Sequence, residues 1–430
     1  MNPPQPIAPR RILVRGTNWL GDAVMTTPAL LRLREKFPDD RITLFTPEKL
    51  VDLWKNHPAI DDVISFRRDE GVLTIANSLR AESLKRFLES HPDRTQAGSA
   101  AYKETAMMGG TPAQAIVHVV KEVSKKTIDA AKHACKQTID LALVLPNSQR
   151  SALEVWLARI PQRIGYARPW RNWFLTTRVA SRPDAVKMRK RTLAEIRQLI
   201  QSPASAPGNR QSAIGNASAH QIHEYLHLTA ALGANPEPLP PQLFVTSVEI
   251  EAAKKKFGLE TIMSPIFGLN PGAEYGPAKR WPAEKFIAAA KEIQHRTNCV
   301  WLIFGGNSDA SIANRIESAI RNPQSAVFNL AGKTSLRELM ALLKLCRVLL
   351  TNDTGPMHVA AALGTPVVVP FGSTSQELTG PGLPGDPRHR LMKSDAPCSP
   401  CFLRECPIDF RCLNGISSHR VVEAVLQAVH

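Results

Sequence analysis

Short apolar runs of strand length alternate with helix-length amphipathic segments twice along this chain, and a proline-rich stretch separates the two series. The first series has strands at Ile12–Arg15, Arg41–Phe45 and Asp62–Phe66, with a helix from Thr27-Pro28 to about Phe37. It resumes at 139–161, IDLALVLPNSQRSALEVWLARIP, a strand from Ile139 to Leu145 followed by a helix. The second series runs strand Ile266–Asn270, helix Ala283–His295, strand Val300–Phe304, helix Asp309–Ile320, strand Val327–Asn329, helix Leu336–Leu345, strand Val348–Thr351, helix Met357–Leu363 and strand Pro366–Pro370. Strands that alternate with helices predict an α/β protein with parallel sheets covered on both faces. At 430 residues the chain exceeds one ordinary core, so two domains are expected.

The expected boundaries are an N-terminal Rossmann-like domain over 1–240, a C-terminal one over 241–415, and a last helix over 416–430 that packs back toward the first domain. The segment 234–245, ANPEPLPPQLFV, starts the linker. Two stretches interrupt the rhythm: about 67–136, read as a partly helical insertion, and about 182–219, a polar, basic, Ser/Pro/Asn-rich loop. Between two open α/β sheets, ligands bind at the carboxyl ends of the strands.

The net charge of +16 favours anionic partners such as phosphorylated substrates, an acidic membrane surface or nucleic acid. The basic residues are not interleaved with aromatics in a nucleic-acid pattern, so no nucleic acid is expected. No run of about 18 apolar residues is present, and 1–11, MNPPQPIAPRR, has no apolar core of a signal peptide. A cytoplasmic location is therefore expected.

Candidate chemistry lies where strands end. RGTNWLGD, ending at Gly21-Asp22, puts a carboxylate after the first strand, either as a cleft-facing acid or as a helix cap. NDTGPMH places Asp353, Thr354 and Gly355 in a turn before a helix, with Pro356 suited to the first helical position and His358 on the first turn. A helix N-terminus with an adjacent glycine suits a bound anion, and equally an ordinary capped helix. NPGAEYGPAKRWP carries Lys279 on a Gly/Pro-rich loop, fit to offset diphosphate charge or to be a solvated lysine. GGNSD ends on Asp309, which can accept from ribose hydroxyls. Neither a G-x-G-x-x-G after the first strand nor a P-loop is present, which counts against dehydrogenases and P-loop NTPases. CSPCFLRECPIDFRC brings Cys398, Cys401, Cys406 and Cys412 into one short stretch. These four thiols are a candidate structural zinc site or simply reduced, packed cysteines.

Taken in order, the stretches ILVRGTNWLGDAVMTTPALLRLREKFP, LPNSQRSALEVWLARIPQRIGY, NPGAEYGPAKRWP and NDTGPMHVAAALGTPVVVPFGSTSQELTGP resemble the bacterial ADP-heptose:lipopolysaccharide heptosyltransferases of glycosyltransferase family 9. The LPNSxxSA stretch and the Cys-rich tail are most similar to the type II branch. The resemblance spans most of the chain, apart from 67–136 and much of 182–219.

It implies a GT-B fold, an inverting transfer that requires no metal cofactor, an ADP-heptose donor, and the anionic inner core on lipid A as acceptor at the inner face of the cytoplasmic membrane. By position it implies Asp22 as general base and Lys279 as donor-phosphate contact. It implies Asp353, Thr354, Gly355 and His358 as the donor turn and Asp309 as ribose acid. Ala273 and Glu274 stand where relatives often carry hydroxyls near the phosphates, a departure from the pattern. Asn147, Ser148, Arg150, Arg163 and Arg168, with Arg171, are candidates for the acceptor face, each arginine alternatively a solvated charge. Trp170 and Trp173 are expected either in the core or at a membrane interface. A different sugar nucleotide or acceptor, or a non-catalytic binding protein on the same fold, is the alternative.

Overall fold

A computed structural model of the chain describes residues 9–67, 69–90, 139–201, 217–322 and 326–429. Two six-stranded sheets, all of whose pairings are parallel, carry the architecture. The first comprises β1 (Arg11–Arg15), β2 (Arg41–Pro47), β3 (Asp62–Phe66), β4 (Leu141–Val144), β5 (Gln162–Tyr166) and β6 (Thr177–Val179) in the order β3-β2-β1-β4-β5-β6. The second comprises β7 (Ile266–Asn270), β8 (Val300–Ile303), β9 (Val327–Asn329), β10 (Leu349–Thr351), β11 (Val367–Pro370) and β12 (Arg390–Met392), ordered β9-β8-β7-β10-β11-β12. The two sheets thus share one topology. Strand order reverses between β1 and β4 and again between β7 and β10, which opens a crevice at each carboxyl end.

The central strands read as unbroken apolar runs because both faces are covered. Leu13, Val14, Leu269, Leu302, Leu349 and Val368 are fully buried. One hydrophobic cluster runs from Ile12, Leu30 and Leu44 of the first unit through Met340, Met357 and Val359 of the second. The units therefore share core packing instead of meeting through a linker alone. The 234–245 stretch has no regular structure and is tied to both sides: Gln242 donates its N–H to Thr27 and Leu243 donates to Ala362.

Several elements depart from expectation. A six-residue helix, Leu20–Met25, precedes the helix Thr27–Lys36, so Asp22 stands in a first helical turn and not in a loop. The cap of the second helix is Thr26. The start of the presumed insertion is the helix Val72–Ser90, whose Ile75 and Leu79 enter the first unit's core as a β3-to-β4 crossover; residues 91–138 lie outside the described part. Likewise 193–201 is helical, while 202–216 lies outside the described part.

The last helix, Ser418–Val429, packs on the second unit. Its Val421, Val422 and Val425 bury against Ala289, Ala290 and Ile293 of the helix Ala283–Thr297, because that helix offers a small-residue face beside the second sheet.

Candidate active site

Helix Leu20–Met25 leaves the carboxyl end of β1 and packs on helix Gly355–Ala362, which leaves β10. Two glycines make the contact possible. A Cβ on Gly21 would stand 2.7 Å from His358 Cδ2, and one on Gly355 would stand 2.8 Å from Leu20 Cδ2. This seats Asp22 beside the second unit.

The Asp22 carboxylate accepts from Gln221 Nε2 at 3.1 Å, and the same amide donates to Tyr225 Oη at 2.9 Å. Burial pushes the Asp22 pKa up to about 6, held from going higher by the Gln221 hydrogen bond and the nearby Lys279 ammonium. Such a carboxyl is ionised at neutral pH yet basic enough to take a proton. Gln221 also donates its backbone N–H to Leu378 O, so it links the first helix to the second unit. No motif in the sequence marks it.

Lys279 sits on the turn Pro277–Lys279. The turn begins at Gly276, whose φ of +150° and approach to Arg404 O, 2.5 Å from where a Cβ would stand, exclude a side chain. Lys279 Nζ lies 2.6 Å from Asp353 Oδ2, which also accepts from Thr374 Oγ1 at 2.5 Å. Asn352, fully buried, joins the two loops: it accepts from the Trp281 N–H at 2.9 Å and donates to Pro271 O at 2.7 Å.

The helix begins at Gly355, so Pro356 is its second residue, and Thr354 caps it without a side-chain hydrogen bond. His358 is buried, which lowers its pKa to about 4 despite Asp353; it stands as a neutral ring against Gly21. Asp309 Oδ2 accepts from the Gly306 N–H at 3.0 Å, and Arg280 lies 3.6 Å from Oδ1. The carboxylate covers Gly272, where a Cβ would collide with it. Ala273 is buried, whereas Glu274 is exposed and reaches across to Lys49 at 3.6 Å.

A cavity of about 730 Å³ opens at the carboxyl ends of β1, β4 and β5. Asp22, Asn147, Ser148 and Arg168 line it, with Trp19, Arg182 and Lys187. Two expected acceptor residues are not part of this lining. Arg150 turns to Glu154 at 3.1 Å and to Glu70 O, and Arg163 lies at the opposite end of β5, donating to Phe174 O, Ile160 O and Pro161 O. Arg171 is fully buried beneath the site, donating to Pro146 O at 2.8 Å. Arg15 and Glu154 form a buried ion pair at 2.8 Å under the same loops.

The four clustered cysteines line one small pocket, but among the described residues no group of three or more His, Cys, Asp or Glu side chains is placed to hold a metal ion. Burial raises the thiols of Cys398, Cys401 and Cys412, the last to about 12; Cys398 and Cys401 pack with Ile196, and Cys406 accepts the Phe410 N–H.

The sequence profile of "Glycosyltransferase family 9 (heptosyltransferase)" matches residues 203–410. Lipopolysaccharide heptosyltransferase 2 of Salmonella typhimurium is 28% identical over 373 residues, covering 86% of this chain and 85% of its own. The protein of that name from Escherichia coli is 28% identical over 379 residues, with the same coverage. This chain is a glycosyltransferase similar to those of family 9. Among solved structures, E. coli ADP-heptose lipopolysaccharide heptosyltransferase II superimposes with a TM-score of 0.62 at 23% identity over 97% of this chain and 98% of that one. A family 9 glycosyltransferase from Veillonella parvula gives 0.67 at 20% identity over 98% and 97%. The fold of this glycosyltransferase is thus GT-B, with two parallel sheets facing a cleft. Among the described residues no helix is long and apolar enough to cross a membrane.

Proposed function

We propose that this enzyme transfers a heptose from ADP-L-glycero-D-manno-heptose to the heptosyl-Kdo-lipid A inner core during lipopolysaccharide biosynthesis, with inversion and without a metal. The carrying observation is the placement of Asp22, with its pKa raised to about 6, on the wall of the 730 Å³ cavity and against the unit that holds Lys279 and Asp353. The names of the relatives supply the sugar and the class of acceptor.

The acceptor lies in the cavity against Asn147, Ser148 and Arg168. Its hydroxyl oxygen attacks the anomeric carbon while the bond from that carbon to the diphosphate oxygen breaks. The hydroxyl proton passes to Asp22, oriented by Gln221. ADP leaves with both electrons of the broken bond, and Lys279 and the first turn after Thr354 offset the charge. Lys279 exchanges its contact with Asp353 for phosphate, which frees Asp353 to accept from heptose hydroxyls. Asp309 receives the adenosine ribose. A single displacement of this kind inverts the anomeric carbon and needs no metal, because a lysine and a helix N-terminus take the leaving-group charge.

The deciding experiment mixes purified enzyme, ADP-heptose and a mono-heptosylated Kdo-lipid A acceptor, then follows ADP release and acceptor mass. A gain of one heptose that disappears in Asp22→Asn supports the reading. ADP release without mass gain refutes the acceptor assignment. Neither signal from folded enzyme refutes the donor.

A further inference from the structure

Between Glu154 and Glu195 the chain carries ten Lys and Arg residues and one acid, Asp184. This short stretch thus holds nine of the sixteen net positive charges. It also holds two unusual tryptophans. Trp170 is 77% exposed and Trp173 is 81% exposed, on the turn from β5 to β6 at the edge of the first sheet. Neither enters the core, although a tryptophan ordinarily hides 150–250 Å² on folding.

The turn is held in shape. Gln149 Nε2 donates to Trp170 O, and Trp170 has a φ of +66°, a left-handed conformation that costs a bulky residue about 1–3 kcal/mol. Trp156, 44% exposed, packs with its ring tilted against Phe174, the neighbour of Trp173, at 5.5 Å between centroids. Arginines flank this aromatic edge: Arg159 is exposed just past Trp156, and exposed Arg178 donates to Asn172 O beside Trp173. Two residues before Trp170, Arg168 lines the cavity.

We infer that this edge docks the enzyme on an anionic lipid bilayer, with Trp170 and Trp173 at the headgroup level and Arg159 and Arg178 against acidic headgroups. Indole rings partition to the bilayer–water interface. Basic residues beside them add electrostatic attraction to acidic lipids. The orientation follows from the reading above, on which it rests: a cavity that accepts a lipid-anchored saccharide opens beside the surface that meets the lipid. A nucleic acid would use the same charge, but Trp170 lies two residues from the cavity-lining Arg168.

The test is cosedimentation with phosphatidylcholine vesicles, with and without phosphatidylglycerol, in the absence of donor and acceptor. The wild-type chain should pellet with the phosphatidylglycerol vesicles and far less with phosphatidylcholine alone. Trp170→Ala/Trp173→Ala and Arg159→Glu/Arg178→Glu should each weaken binding by about tenfold or more, since one basic residue at an acidic surface is worth about fivefold. Both variants should keep wild-type turnover on a deacylated, soluble acceptor, which shows that they fold. Wild-type protein that ignores anionic vesicles, or tryptophan variants that bind like wild type, would overturn the assignment. So would single-stranded oligonucleotide binding that depends on the same tryptophans and displaces the vesicles. Vesicle binding without heptosyl transfer would sink the proposed reaction and leave this surface standing; transfer without binding would do the reverse.

Discussion

Gly21 and His358 touch across the cleft, so closely that a Cβ on the glycine would meet the imidazole at 2.7 Å. The contact fixes how far the Asp22 helix stands from the turn at Thr354 and Gly355. Gly21→Ala should cost about 1–3 kcal/mol by overpacking and lower kcat, because the neighbouring His358 is buried and cannot swing away. Melting temperature and turnover measured together decide this. An alanine variant with wild-type values for both would mean the interface is slack.

Asp22→Asn should lower kcat by roughly 10²–10⁴-fold with donor affinity unchanged. Its stability should move the other way. A carboxyl whose folded pKa is raised binds its proton more tightly when folded. That contribution is full below the unfolded value of 3.8 and is lost as pH rises through about 6. At neutral pH the wild type therefore carries a buried charge at a cost of roughly 1–3 kcal/mol that the amide lacks. The variant should melt a few degrees higher at pH 7 and no higher at pH 4.

The acid limb of kcat/KM should fall below about pH 6, where Asp22 takes a proton. Gln221→Ala removes the hydrogen bond that holds this pKa down, so the limb should shift toward higher pH. An unmoved limb in the variant would assign the ionisation to another group.

Lys279→Met should lower kcat by about 10²–10³-fold and weaken donor binding, read by titration calorimetry with ADP. It also leaves Asp353, 4% exposed in its side chain, without its cation. Asp353→Asn in the same background should restore part of the stability and none of the turnover.

Acid should unfold the protein early. His57, His220, His358 and His389 are each driven down to about 4 by burial. Each stays neutral in the fold while the unfolded chain protonates near 6.5. Stability is then fully present above about pH 6.5 and is lost as pH falls toward 4, the reverse of the Asp22 contribution. Melting curves across that range show which wins; four histidines against one aspartate predict a net loss.

The strand-and-helix rhythm made both sheets legible, since fully covered parallel strands appear as continuous apolar runs. Asp22, Lys279 and Asp353 were legible as polar residues in the segments that follow strand ends, although Asp22 proves to stand in a helical turn and Lys279 on a short turn further along its loop. The rest was hidden for physical reasons. Helix Leu20–Met25 is too short to show a period. Gln221 reaches Asp22 from 199 residues away and has no local signature. Arg150, Arg163 and Arg168 look alike in sequence, yet only Arg168 meets the cavity, because position along β5 and the pull of Glu154 decide where each guanidinium goes. The cysteine spacing left zinc and packing both open; in the fold Cys398 and Cys401 pack with Ile196.

The common strand order of the two sheets has an evolutionary consequence. Each half presents its own crevice to the other, so one lip of the cleft can drift in sequence while the opposite lip keeps its ligand. The cavity proposed for the acceptor is lined by segments after β1, β4, β5 and β6, all before the second sheet in the chain, so the receiving side can be rewritten without altering that sheet. What cannot be rewritten is the seam at Gly21 and Gly355, where the two inherited halves are clamped and any added atom would pry them apart.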